Sequence, residues 1–194
     1  MRQAQIKRKT QETEIDLSLN LDGSGQSQIQ CGVGFLEHML TLLAKHGRLD
    51  LNLMAKGDLE VDCHHTVEDI GICLGQALRK ALGEGRGIVR YGQILLPMDE
   101  ALALVALDIS GRGFLAFEAE FPASSLGSFD TEMVEEFFRA VALQGGITLH
   151  IRMLAGKNTH HICEAIFKGF ARALAAAAAL SGRDEIPSSK GKLI

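Results

Sequence analysis

The chain has 194 residues, 46% hydrophobic and 23% charged, the balance of a folded globular protein, which excludes disorder as its main state. A formal net charge of −4 supplies no basic field for a nucleic-acid backbone, so any anion must be gripped locally. The polar, basic first ten residues contain no apolar leader, and the alanine-rich run 173–180 is too short to cross a bilayer; a cytoplasmic chain with no membrane or nucleic-acid partner is expected.

In chain order, alternating segments at 14–21 and 28–32 predict two strands, 34–45 has helical spacing, and 49–54 alternates again. A second helical pattern begins at His64 and stops at the glycine-rich 83–87. The series then recurs: extended segments at 101–110 and 114–121, a helix at 133–143, a strand at 147–153, and a helical pattern from His160 closing near Gly182. Both halves read strand, strand, helix, strand, helix. Neither half is large enough to bury a sheet and two helices alone, so repeats 1–87 and 88–194 are expected to pack as one unit about a pseudo-two-fold axis. The predicted class is α+β, an internally duplicated sheet and helix sandwich with the helices on one side. A mean hydropathy of +0.11 with only 5% aromatics suggests an aliphatic core and apolar surface to spare, hence a homo-oligomer. Cys31, Cys63, Cys73 and Cys163 lack Cys-x-x-Cys spacing and are expected as reduced thiols.

The duplication has a chemical signature. Residues 64–68 read His-His-Thr-Val-Glu and 160–164 read His-His-Ile-Cys-Glu, whereas a shuffled chain of this composition would hold about 0.02 copies of H-H-x-x-E. On a helix, residues four apart diverge by about 40° and neighbours by about 100°. His64 with Glu68, and His160 with Glu164, can therefore each grip one ion, while His65 and His161 turn toward another. Upstream, His38 precedes His64 by 26 residues and Glu136 precedes His160 by 24, which makes both candidate fourth ligands. A nitrogen-rich set with carboxylates suits Mn²⁺, Fe²⁺ or Zn²⁺, and an ion with vacancies for substrate favours manganese. Cys63 and Cys163 leave zinc through thiolate as the competitor. The plainer alternatives are first-turn acids at Glu68 and Glu164 and a solvated acid at Glu136. His46 and His150 are left without a role.

The runs Asp-Cys-His-His-Thr-Val-Glu-Asp-Ile-Gly (62–71), Gly-Lys-Asn-Thr-His-His-Ile-Cys-Glu-Ala-Ile-Phe-Lys (156–168), Phe-Leu-Glu-His-Met-Leu and Ile-Pro-Ser-Ser-Lys-Gly resemble imidazoleglycerol-phosphate dehydratase, over almost the entire chain. The resemblance implies a manganese enzyme of histidine biosynthesis with two ions per active site, assembled from 24 subunits with sites at subunit contacts. The implied reaction converts D-erythro-imidazoleglycerol phosphate to imidazoleacetol phosphate and water. If metals hold both ring nitrogens, the resulting imidazolate can expel the hydroxyl and stabilise loss of an otherwise unactivated proton. The resemblance makes Glu12 the acid/base; by itself this glutamate reads as one acid on an edge strand. It also implies that Arg90, Arg112, Lys168, Ser188, Ser189 and Lys190 bind the substrate phosphate. Lys168 otherwise reads as an ion-pair partner of Glu164, and the 188–190 string as a mobile tail. Two departures stand out, Gly113 where relatives commonly carry Pro and Glu136 where many carry His. A dinuclear phosphoesterase or a non-catalytic metal-binding assembly are the alternatives, since each could use the same ligands.

Overall fold

The computed structural model describes residues 1–193. The first half contains β1 (Gln3–Lys9), β2 (Thr13–Asn20), β3 (Ser27–Gln30), α1 (Gly34–Gly47), β4 (Asp50–Gly57) and α2 (His64–Leu82). The second contains β5 (Tyr91–Met98), β6 (Ala101–Asp108), β7 (Phe114–Glu118), the short hairpin β8 (Ser125–Leu126) and β9 (Phe129–Asp130), α3 (Met133–Gly145), β10 (Thr148–Ala155) and α4 (Thr159–Ala178). Two sheets form with the same plan, in the orders β1-β2-β4-β3 and β5-β6-β10-β7. In each, the third strand runs parallel to the fourth, and a helix makes the crossover that parallel pairing requires.

Each half thus opens with a strand that the periodicity did not reveal. β1 and β5 are both sheet-edge strands, and their outward residues face water. β1 reads Gln-Ala-Gln-Ile-Lys-Arg-Lys, too polar to stand out, and β5 carries Pro97, a residue that sheets tolerate at an edge.

Alternation buries one face of each sheet: Ile15, Leu17, Leu19, Leu51 and Leu53 in the first, Ala103, Val105, Leu107, Leu149 and Ile151 in the second. α2 packs on β1 and β2, α4 on β5 and β6, while α1 packs against α4 and α2 against α3. The helices therefore lie on one side of each sheet, as expected, but that side is shared: they form a layer between the sheets, and each helix pair joins the two halves. Phe137, Phe138, Phe167 and Phe170 fill that layer, with ring centroids 4.8–5.3 Å apart. Gly92 lets α4 approach β5 closely: a Cβ there would lie 1.9 Å from the Ala173 carbonyl oxygen.

The outer faces break the symmetry. The first sheet is laced with the pairs Lys7–Asp16 and Lys9–Glu14, each 2.9 Å. The second exposes Tyr91, Leu95 and Phe114. Among the described residues, no helix is long and apolar enough to cross a membrane, and all four cysteines are buried free thiols.

Candidate metal centre

Both His pairs stand at a helix N-terminus, reached through a short loop from the strand before it. Asn158 caps α4 by accepting from the backbone N–H groups of His160 and His161, and the Asp62 carboxylate accepts from the His64 N–H at 2.7 Å. These hydrogen bonds hold the first turns, from which the imidazoles project.

His38 reaches the second pair because α1 lies along α4. Its Nε2 is 3.1 Å from Glu164 Oε1, and His160 Nε2 approaches the same oxygen at 3.0 Å. Among the described residues this is the one group of three or more His, Cys, Asp or Glu side chains whose ligand atoms lie within 4.8 Å of one another. Glu164 is 7% exposed, and its other oxygen pairs with Lys168. Burial pushes the Glu164 carboxyl up, but hydrogen bonds from Lys168, His38 and His160 overcome it and hold the group at about 2. A buried carboxylate with two imidazoles aimed at one oxygen is a fitting cradle for a divalent cation, which would replace protons as the positive partner. The thiols take no part. Burial pushes Cys163 up to about 12 and raises Cys63 as well, and neither joins the group.

The first motif is more open. His64 Nε2 lies 3.9 Å from Glu68 Oε2. His65 Nδ1 is 3.0 Å from Asp58 Oδ2, and its Nε2 is 3.9 Å from Glu12 Oε1. Glu12 sits exposed on the β1–β2 turn, where Thr10 Oγ1 accepts from the Glu12 and Thr13 N–H groups at 3.1 and 2.9 Å. The Thr13 hydroxyl in turn donates to buried Asp69 at 2.5 Å, and Arg8 Nε lies 2.9 Å from the other Asp69 oxygen. His161 Nδ1 is 2.7 Å from Glu100 Oε2. The His65 and His161 pKa values are raised, chiefly by hydrogen bonds to Asp58 and Glu100 respectively. Asp58, Asp69 and Glu100 were not found by sequence reasoning. The one signal was positional, since Glu12 and Glu100 each immediately precede the second strand of their half.

The family-model comparison matches residues 31–174 to imidazoleglycerol-phosphate dehydratase. The chain belongs to the imidazoleglycerol-phosphate dehydratase family. Among curated relatives, the protein of that name from Acetivibrio thermocellus is 60% identical, over 99% of both chains. The one from Azorhizobium caulinodans is 58% identical, over all of this chain and 99% of its own. Among solved structures, the imidazoleglycerol-phosphate dehydratase of Staphylococcus aureus aligns with a TM-score of 0.84 at 47% identity, covering 92% of this chain and 99% of that one. The Pyrococcus furiosus enzyme in complex with (S)-C348 aligns with a TM-score of 0.83 at 36% identity, covering 96% and 99%. As a member of the imidazoleglycerol-phosphate dehydratase family the chain is a hydro-lyase, and its α+β sandwich is the fold of those structures.

Glu136 faces Arg139 Nε at 3.5 Å and joins no three-donor group with His64 and Glu68 among the described residues. Arg90 forks onto Asp108, with Nε and Nη2 at 2.7 and 3.1 Å, and donates through Nη1 to the Pro187 carbonyl at 2.8 Å. It therefore pins the segment bearing Ser188, Ser189 and Lys190. That segment is held by hydrogen bonds rather than loose: Gly87 N–H donates to the Glu185 carbonyl at 2.8 Å, and Gly191 N–H closes a turn onto Ser188 at 3.0 Å. Arg112 Nη1 donates to the Ser110 carbonyl at 3.2 Å. Lys168 makes both the expected pair with Glu164 and a 3.4 Å contact to Met98 Sδ. His46 is held below its ordinary pKa, first by burial and then by Lys168 and Arg172. His150 lies on the outer face of the second sheet beside Phe114.

Proposed function

We propose that this chain dehydrates imidazoleglycerol phosphate to imidazoleacetol phosphate in histidine biosynthesis, with Mn²⁺ as its resident ion. The observation that carries the metal part is the convergence of His38 and His160 on the single buried oxygen of Glu164. In this reading His38, His160 and Glu164 hold one ion. His65 adds to that ion, while His64 and Glu68 begin a second site that His161 and a Glu136 released from Arg139 complete, across subunit contacts. Two ions per active site and a particle of 24 subunits follow the family pattern. Bound Mn²⁺ supplies Lewis acidity toward the nitrogens of the substrate ring.

The protein's own side chains do the rest. Glu12 is exposed and set on a rigid turn beside His65, so its carboxylate can take the carbon proton and return it to the departing hydroxyl. Arg112, Lys168, Lys190, Ser188 and Ser189 grip the phosphate by charge and hydrogen bonding. Arg90, already forked onto Asp108, adds to that grip and keeps the 188–190 segment in place.

Purified protein loaded with Mn²⁺ and given imidazoleglycerol phosphate should yield imidazoleacetol phosphate without releasing inorganic phosphate. Phosphate release would point to a phosphoesterase, and absence of both products after full metal loading would refute catalysis.

A further inference from the structure

The two repeats place a glutamate at the same point and use it differently. Glu12 immediately precedes β2 and Glu100 immediately precedes β6, and each faces the second histidine of a pair. Glu100 is fully engaged. Its Oε1 accepts from the backbone N–H groups of Lys157 at 3.1 Å and Asn158 at 2.7 Å, while its Oε2 lies 2.7 Å from His161 Nδ1. Glu12 stays 3.9 Å from His65 Nε2, because Asp58, from the β4–α2 loop, already holds His65 Nδ1 at 3.0 Å. Asp58 serves no other side-chain contact: its Oδ1 is buried without a hydrogen-bond partner among the described residues.

We propose that Glu100 and Asp58 are positioning residues that fix the tautomers of His161 and His65, each accepting the Nδ1–H so that the Nε2 lone pair is kept for a divalent cation, and that Asp58 thereby leaves Glu12 free for proton transfer. A carboxylate cannot donate, so the imidazole nitrogen against it must carry the ring's proton, and the other nitrogen becomes the ligand. Asp99 Oδ2, 3.7 Å from His161 Nε2, adds a second negative charge on the Nε2 side of the ring. The inference rests on the metal reading above and assigns to two acids a part which that reading leaves open.

Glu100→Gln tests it with little change of shape. The amide oxygen stays on the two backbone N–H groups, so the amide NH₂ is presented to His161 Nδ1. That nitrogen must then accept, and the proton moves to Nε2, where it blocks the ligand position. Calorimetric titration of the metal-free full chain with Mn²⁺ should show binding weakened about 10–100-fold in Glu100→Gln. Glu12→Gln should bind like the parent. Nitrogen-15 shifts of His161 should show Nδ1 changing from protonated to unprotonated, a signature that loss of the loop cap alone does not produce. Asp58→Ala gives the parallel test at His65 if Glu100→Gln does not fold. Parental Mn²⁺ affinity in both variants, or an unchanged His161 tautomer in Glu100→Gln, overturns the proposal while leaving the metal reading intact. A parent chain that takes up no Mn²⁺ overturns both.

Discussion

Gly92→Ala is predicted to be among the most damaging single-methyl changes in the molecule. Its Cβ would lie 1.9 Å from the Ala173 carbonyl oxygen, 2.8 Å from the Ala173 carbonyl carbon and 3.0 Å from the Ala177 nitrogen. These are backbone atoms of α4, with no flexible side-chain end to swing aside. Ordinary contact begins near 3.4 Å, so the helix must retreat by about 1.5 Å, and overpacking on this scale costs about 3 kcal/mol or more. α4 also carries His160 and Glu164, so a rigid shift of that size is half the 3.1 Å separation of His38 Nε2 from Glu164 Oε1. Misplacement by about 1 Å can cost a hundredfold in rate. Urea unfolding of the metal-free proteins at one protomer concentration, so that ligand and mass action are the same for both, measures the first effect, and Mn²⁺ titration measures the second. Gly34→Ala is the control, because nothing lies within 4 Å of its Cβ; it should be neutral or stabilise by up to about 1 kcal/mol. A Gly92→Ala protein within about 0.5 kcal/mol of the parent, with parental Mn²⁺ affinity, would refute the close-packing argument.

Glu12→Gln should lower turnover about 10²–10⁴-fold with metal content unchanged by elemental analysis. Arg90→Lys keeps the charge but loses the fork onto Asp108 and Pro187; KM should rise at least about tenfold, with faster proteolysis at 181–190. Asp50 is held below the usual carboxylate range, chiefly by the backbone N–H groups of Ser24 and Gln26. A depressed folded-state pKa stabilises above the unfolded pKa and loses that contribution as pH falls through the folded value. The stability gap between parent and Asp50→Asn should accordingly be widest near neutrality and shrink steadily below about pH 4, as read by urea melts across the acid range. Leu95→Glu, on the apolar outer face of the second sheet, should lower the assembled mass measured by light scattering, and chelation of the metal should do the same. An unchanged mass in both cases would mean that assembly uses neither that face nor the ions.

The helices were legible because their apolar faces recur at helical spacing, because α1, α2 and α3 close at glycines, and because an H-H-x-x-E string repeats at matching places; α4 stops at Ala178, short of Gly182. β1 was not, because its Gln, Lys and Arg residues leave too few apolar positions for alternation to register, and β5 was not, because Ile94, Leu95 and Leu96 are consecutive rather than alternating and Pro97 follows them. The position of the helices on one side of each sheet was legible as well. That a single helical layer serves both sheets was not, since it depends on α1 meeting α4 and α2 meeting α3 across the halves. For the same reason a local pattern can pair His160 with Glu164 by their four-residue spacing, whereas His38 joins them only through an inter-helix contact.

Asp58, Glu100 and Asp69 mark the limit of local reading. Each is a single acid, and its meaning comes from a partner brought near by a turn or a sheet register. Glu12 and Glu100 make the point most clearly, because the repeat gives them the same position and the same kind of neighbour. What separates them is whether another acid already holds the histidine. Asp58 holds His65, so Glu12 is left uncommitted beside it, whereas His161 has Glu100 on its Nδ1 and two backbone N–H groups on the remaining oxygen. The outer faces diverge as well: the β1–β2 edge of the first sheet carries the Lys7–Asp16 and Lys9–Glu14 pairs, whereas the second exposes Tyr91, Leu95 and Phe114 beside its Arg152–Glu118 pair. Duplication thus supplies two copies of an H-H-x-x-E string, and the loops and outer faces around them give the copies different neighbours.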